Sequence, residues 1–461
     1  MDKLIRVTDL TVKTVKGECL VEPMSFSIGR GQNLTILGET GSGKSLLAQS
    51  IMGCLAPELT ATGEINIEGE MKCQWGRQLA MLPQEPYRSL DPTMPIGKQI
   101  WESLYFVAGE NKQIAQQKTQ QKLTALGLNQ FAQHYPHQIS GGMAQRVAFA
   151  AAVSGGAYIL IADEPTKGLD SHNKHAVIQM LQSISSQGGA LLTITHDIDV
   201  AQQLGGDIMV MKQGKLLEQG KATQILSRPH SDYAKALIAA APTRWPAQHK
   251  ISYSDTNLLT VKELTLAREQ HILFRGVNFS LKKGEILGVV GESGVGKSSL
   301  GDALCGLLAP KCGQITWHFL PQRHQVLKLY QDPPAAFAPN VPLHILLNDV
   351  IKRHQLDSQR IPYLLEQLNL NPDILQRTAE NVSGGELQRV AILRALLFQP
   401  VLLFADEATS RLDPITQKDT LDLLVEQCRL THCALILVSH DHDLIQHYCH
   451  QVIDLTAFRE G

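Results

Sequence analysis

Two kinds of apolar segment alternate along the chain. One kind is short and almost free of polar residues: NLTILGE at 33–39, YILIADE at 158–164 and ALLTITHD at 190–197, then ILGVVGE at 286–292, VLLFADE at 401–407 and ALILVSHD at 434–441. Such runs predict strands buried on both faces, each ending in a carboxylate or a turn. The other kind is mixed, as in SLLAQSIMG at 45–53 and SSLGDALCG at 298–306, and predicts helices. Strands alternating with helices predict an α/β fold whose mostly parallel sheet is covered on both faces. In such sheets ligands gather beyond the carboxyl ends of the strands, so the residues that close each run are the candidates for chemistry. The uncharged and mostly apolar stretch VAFAAAVSGGAYILIA at 147–162 is too short to span a bilayer and is broken by Gly155-Gly156. It predicts a helix end, a turn and a buried strand.

The whole pattern occurs twice. The glycine-rich strings GETGSGKS and GESGVGKS begin at Gly38 and Gly291, 253 residues apart. Gln84 in LPQEP matches Gln331 in LYQDP at an offset of 247; Ser140 matches Ser383 and Asp163 matches Asp406 at 243; His196 matches His440 at 244. Five features in one order at nearly constant offset indicate tandem duplication. The boundary falls in the polar, proline-containing stretch that opens PTRWPAQHK. The expected division is a first domain over 1–241 with a helical tail from about 221, a linker over 242–257, and a second domain over 258–461.

Both glycine-rich strings fit G-x-x-x-x-G-K-[ST]. Their backbone N–H groups, along Gly38, Glu39, Thr40, Gly41, Ser42 and Gly43, and along Gly291, Glu292, Ser293, Gly294, Val295 and Gly296, are placed to close around phosphate oxygens. Lys44 and Lys297 should reach the outer phosphates, and Ser45 and Ser298 should hold Mg²⁺. Asp163 and Asp406 are candidates to hold the same ion through water. The adjacent Glu164 and Glu407 are candidates to orient or deprotonate an attacking water. Gln84 and Gln331 carry amides suited to the metal or its water. His196 and His440 stand where a γ-phosphate contact is expected.

Composition removes several alternatives. The formal net charge is −2, so no electrostatic footprint favours nucleic acid. Eight cysteines are scattered without a CxxC pair, as expected of reduced cytoplasmic thiols. MDKLIRVTDL carries no apolar core of a secretory signal. HDHDLIQHYCHQ at 440–451 is dense in possible metal ligands, but reads as one catalytic histidine with a polar helix face behind it.

Together the P-loops, the glutamines, the two Ser-Gly-Gly doublets (Ser140-Gly141-Gly142 and Ser383-Gly384-Gly385), the Asp-Glu strands, KGLD or SRLD and the strand-end histidines resemble the ATP-binding domains of ABC transporters. The resemblance covers nearly the whole chain. YPHQISGGMAQRV, IADEPTKGLD and the tail LEQGKATQILSRPHSDYAKALIAAAP are similar to the branch that energises uptake of oligopeptides, dipeptides and nickel. It implies two P-loop NTPase domains in tandem, each with a helical subdomain that carries the Ser-Gly-Gly signature. It implies ATP and Mg²⁺ as ligands. Each signature is expected to cap ATP on the opposite P-loop, with Asp170 and Asp413 at that seam. The implied partners are two transmembrane permease subunits and, through them, a substrate-binding protein. Their coupling helices are expected near RSLDP at 88–92 and PAAFAPN at 334–340. Location on the cytoplasmic face of the inner membrane follows, with membrane contact through the permeases only.

Departures from the family pattern are few. No Tyr, Phe or Trp lies between Met1 and Phe26 to stack an adenine, and only His271 and Phe274 stand near that place in the second half. The signatures read SGGM and SGGE rather than SGGQ. Both Asp-Glu pairs and both histidines are present, which predicts two competent sites. The boundary carries no cysteine, so no iron–sulfur cluster is expected. The rival reading is a soluble tandem ABC ATPase acting on a non-transport complex.

Overall fold

The computed structural model describes residues 3–70, 74–169, 171–245, 253–269, 271–292, 294–330, 336–410 and 412–459. Asp170, Ser293 and Gln331 lie outside these. The chain divides into two compact units, Met1–Ala241 and Pro242–Gly461.

The uninterrupted apolar runs become the centre of the first unit. Strands β3 (Asn33–Leu37), β5 (Leu79–Leu82), β6 (Ile159–Asp163), β7 (Ala190–Thr195) and β8 (Asp207–Lys212) pair in parallel, in the order β5-β6-β7-β3-β8, and β9 (Lys215–Lys221) adds an antiparallel edge. Every residue of β6 and β7 is buried, as runs without polar alternation require. A second sheet, β2-β1-β4, is antiparallel and built from β1 (Lys3–Thr14), β2 (Cys19–Gly29) and β4 (Leu59–Ile67). These strands are irregular: Asp9 adopts φ 49° and the pairing shifts register on either side of it. One core joins the two sheets through Ile5, Val12, Ile36, Leu47 and Ile161. A second core lies between the parallel sheet and the helices Ile96–Glu102, Lys112–Ala125 and Gly141–Ser154.

The second unit repeats the plan. Strands β12 (Ile286–Val290), β14 (Val326–Leu329), β15 (Leu402–Asp406), β16 (Ala434–Val438) and β17 (Gln451–Asp454) run parallel in the order β14-β15-β16-β12-β17. The antiparallel sheet is β11-β10-β13, from β10 (Asn257–Arg268), β11 (His271–Lys282) and β13 (Cys312–Trp317). Helix Gly384–Leu397 packs over the parallel sheet through Leu387, Val390 and Leu393. Ahead of β10, Trp245 packs its ring on His447 and Tyr448 at 4.8 and 5.4 Å. Among the described residues no helix is long and apolar enough to cross a membrane.

Candidate active sites

Each P-loop joins a central strand to a helix: β3 to Lys44–Met52, and β12 to Lys297–Leu304. The turn demands a left-handed residue just before the helix. Gly43 takes φ 93° and Gly296 φ 107°, conformations that are strained for residues with a Cβ. The lysine that follows folds back over the loop. Lys44 Nζ donates to the carbonyls of Gly38 (2.8 Å) and Glu39 (2.6 Å); Lys297 Nζ donates to those of Gly291 (2.7 Å) and Glu292 (3.0 Å). Burial depresses the Lys44 ammonium, while Glu164 and Asp163 act to keep it charged.

The strand beside each P-loop strand brings in the acid pair. Asp163 ends β6 beside the Ser45 hydroxyl. Burial pushes the Asp163 carboxyl up from its ordinary value. Its Oδ1 is buried without a hydrogen-bond partner. One hydroxyl, one carboxylate with an unsatisfied oxygen and the nearby Gln84 amide suit a hard divalent cation such as Mg²⁺. A pocket of about 290 Å³ opens here, lined by the loop from Thr40 to Leu46 and by Leu20, Gln84, Asp163, Glu164 and Lys167.

Glu164 and Glu407 adopt φ 47° and 49°. Left-handed backbone at a glutamate costs about 1 kcal/mol or more and persists only where surroundings fix it. Here the fixing bonds are Glu164 N–H to the Ile194 carbonyl (2.8 Å) and Glu407 N–H to that of Val438 (3.2 Å). Each side chain then meets the histidine of the next strand: His196 Nδ1 to Glu164 Oε1 at 2.8 Å, and His440 Nε2 to Glu407 Oε1 at 2.6 Å. The Thr195 hydroxyl donates to the other Glu164 oxygen at 3.3 Å. Burial opposes the Glu164 charge. His196, Lys44 and Lys167 outweigh it and hold the carboxyl below the usual range. Glu164 therefore stands as an ionised carboxylate, the form a general base must have.

The signature serines are helix caps. Ser140 is exposed and its Oγ accepts the Met143 N–H at 3.4 Å. Ser383 makes a fuller box: its Oγ accepts the Glu386 N–H (3.3 Å) and donates to the Glu386 carboxylate (2.7 Å), which also accepts the Ser383 N–H (3.1 Å). Neither Ser140, Gly141 nor Gly142 lines the pocket at Lys44. Gly142 lies against Asn173, which a Cβ there would meet at 2.7 Å. Asp413 caps helix Pro414–Thr431 by accepting the Thr416 N–H at 3.1 Å.

Other residues at these sites carry no local sequence signal. Tyr233, from the tail helix Asp232–Ala239, accepts the Glu39 N–H of the first P-loop at 2.7 Å. Thr456, just after β17, accepts the Glu292 N–H of the second at 3.1 Å. Lys328 of β14 lies 3.2 Å from Asp406. Leu20, an aliphatic residue, forms part of the pocket wall, and Phe274 is fully buried in the core.

Comparison with known proteins gives concordant results. The family model described as ABC transporter matches residues 21–167 and 274–410. An uncharacterized ABC transporter ATP-binding protein, YejF of Escherichia coli (strain K12), is 32% identical over 96% of this chain and 91% of its own length. The peptidoglycan transport ATP-binding protein YejF of Agrobacterium fabrum (strain C58) is 30% identical over 99% and 91%. The glutathione import ATP-binding protein GsiA of E. coli (strain K12) is 30% identical over 94% and 81%. Among solved structures, the archaeal ribosome recycling factor aABCE1, in complex with a ribosomal stalk protein, aligns with a TM-score of 0.71. It covers 97% of this chain and 87% of that one at 20% identity, a likeness of fold alone.

Proposed function

The chain belongs to the ABC transporter family as a tandem ATP-binding protein and is an ATPase, and we propose that it energises a binding-protein-dependent importer. The observation that carries this reading is the doubled set of P-loop lysine, aspartate, glutamate and histidine, brought together once in each unit. Relatives named for transport of peptidoglycan and import of glutathione match along both halves, which supports an uptake role and a peptide-like cargo over nickel.

Within each half the assigned roles follow from chemistry. Lys44 and Lys297 leave their loop carbonyls to bind the β- and γ-phosphates of ATP. Ser45 with Asp163, and Ser298 with Asp406, hold Mg²⁺, with Gln84 and Gln331 beside it. When bound, the ion neutralises charge developing on the phosphates. Glu164 and Glu407 take the proton of the attacking water, and His196 and His440 orient that carboxylate and contact the γ-phosphate. Ser140-Gly141-Gly142 caps ATP held on Gly291–Ser298, and Ser383-Gly384-Gly385 caps ATP held on Gly38–Ser45. Asp170 and Asp413 relay between them. The exposed Ser140 cap, apart from the lining of its own P-loop pocket, supports that exchange. Joining both halves in one chain raises their effective concentration.

The partners of this reading are two transmembrane permeases and a substrate-binding protein, which place the chain on the cytoplasmic face of the inner membrane. The test is recovery of the tagged chain from detergent-solubilised membranes. Co-purification with two multispanning proteins, and ATPase activity raised by the loaded binding protein, are expected. Recovery with ribosomes and without permeases contradicts the reading.

A further inference from the structure

We propose that Lys328 makes the second half the weaker divalent-cation site of the two. The inference rests on the ATP-site reading above and adds an inequality between the halves.

The strand next to the carboxylate strand holds the same register in both units. Met81 of β5 pairs with Ile161, two residues before Asp163; Lys328 of β14 pairs with Phe404, two residues before Asp406. Met81 is neutral. Lys328 is an ammonium whose side chain is only 4% exposed. It donates to the Ser298 carbonyl at 2.8 Å and pairs with Asp302 at 2.9 Å and Asp406 at 3.2 Å. A buried ammonium is tolerated only with such partners.

The neighbours decide how much charge reaches Asp406. Asp302 stands five residues after the P-loop lysine, where the first half has Gln49. It is also paired with Arg268, at the end of β10, where the first half has Thr14 at the end of β1. Thr14, Gln49, Met81 and Asp163 sum to −1, and Lys167, which also acts on Asp163 and is matched by the neutral Ser410, brings the first half to zero. Arg268, Asp302, Lys328 and Asp406 also sum to zero. The halves differ in where the balancing cation sits, and in the second it is Lys328, 3.2 Å from Asp406. Arg268 and Asp302 balance one another, and the lysine is left to neutralise Asp406. In the first half the matching carboxylate keeps a buried oxygen without a partner. A cation approaching Asp406 shares its carboxylate with an ammonium and is repelled by it, in a buried setting where screening is weak.

The experiment uses the full chain carrying Glu164→Gln and Glu407→Gln, with ATP, and titrates Mn²⁺ by electron paramagnetic resonance. Two ATP-dependent Mn²⁺ sites of unequal affinity are expected, and Lys297→Ala removes the weaker. Asp302→Gln with Lys328→Met, which installs the first half's neutral pair, tightens the weaker site by about tenfold and leaves the other unchanged. The reciprocal Gln49→Asp with Met81→Lys weakens the tighter site by a similar factor. Equal affinities in the parent, or a weaker site unmoved by the Asp302/Lys328 exchange, overturns the proposal. Absence of ATP-dependent Mn²⁺ binding at both halves overturns the ATP-site reading on which it stands.

Discussion

In the first half Asp163 faces a hydroxyl and keeps one buried oxygen unsatisfied; in the second, Asp406 shares its carboxylate with Lys328. The signature caps differ in the same way. Ser140 is followed by Met143, whereas Ser383 is tied to the carboxylate of Glu386. The P-loops also lean on different hydroxyls, a tyrosine on a tail helix in one half and a threonine after the last strand in the other. Yet the lysine-to-loop bonds, the left-handed glutamates and the glutamate–histidine pairs recur nearly unchanged. Duplication has kept the groups proposed to touch nucleotide and let their supports drift. A chain of this kind can run two sites of one chemistry at two different strengths.

That contrast can be pressed at several matched positions. The largest effect is expected in the cores, where Phe404 occupies the place of Ile161 and both are fully buried. Phe404→Ala should cost about 3–5 kcal/mol and Ile161→Ala about 2–5 kcal/mol. Denaturant unfolding with a probe in each half should show each loss confined to its own unit; a shared single transition would show that the halves do not unfold separately. Next come the signatures. Ser140→Trp should slow turnover at the second P-loop and Ser383→Trp at the first, each about a hundredfold. A loss that stays with the P-loop of the same half would refute the exchanged pairing.

The P-loop supports should matter less. Tyr233→Phe and Thr456→Val each remove one acceptor of a P-loop N–H, and a few-fold rise in the KM for ATP is expected, with kcat little changed. An unchanged KM in both would make these contacts incidental. The smallest effect concerns pH. The Ser383 hydroxyl holds the Glu386 carboxyl below its ordinary value. Its contribution is therefore fully present above the unfolded glutamate pKa and is lost as pH falls through the depressed one. Exchange of the Ser383 amide should quicken over that acid range, while Ser140, with no carboxylate partner in its cap, should show no such step.

The fold class and most candidate groups were legible because their signals are local. A P-loop, an Asp-Glu pair or a Ser-Gly-Gly doublet is a continuous string at a strand or helix end, and β6, β7, β15 and β16 announce themselves by unbroken apolar runs. The antiparallel sheets were not legible. Their strands are half exposed and interrupted by left-handed residues such as Asp9 and Glu263, which scramble alternation. Tyr233 and Thr456 reach their loops from 194 and 164 residues away in sequence. Lys328 carries no local signal, since its direction depends on how β14 packs against the helix after Lys297. Leu20 lines the pocket without any motif to mark it.

Glu164 and Glu407 are the two proposed water-activating groups of this ATPase, one in each half. Phosphate release and equilibrium ATP binding should be measured side by side on the full chain and on its Glu164→Gln plus Glu407→Gln variant. Release reduced by at least about a hundredfold with ATP still bound at two sites is the predicted result; undiminished release from the double variant would contradict the account.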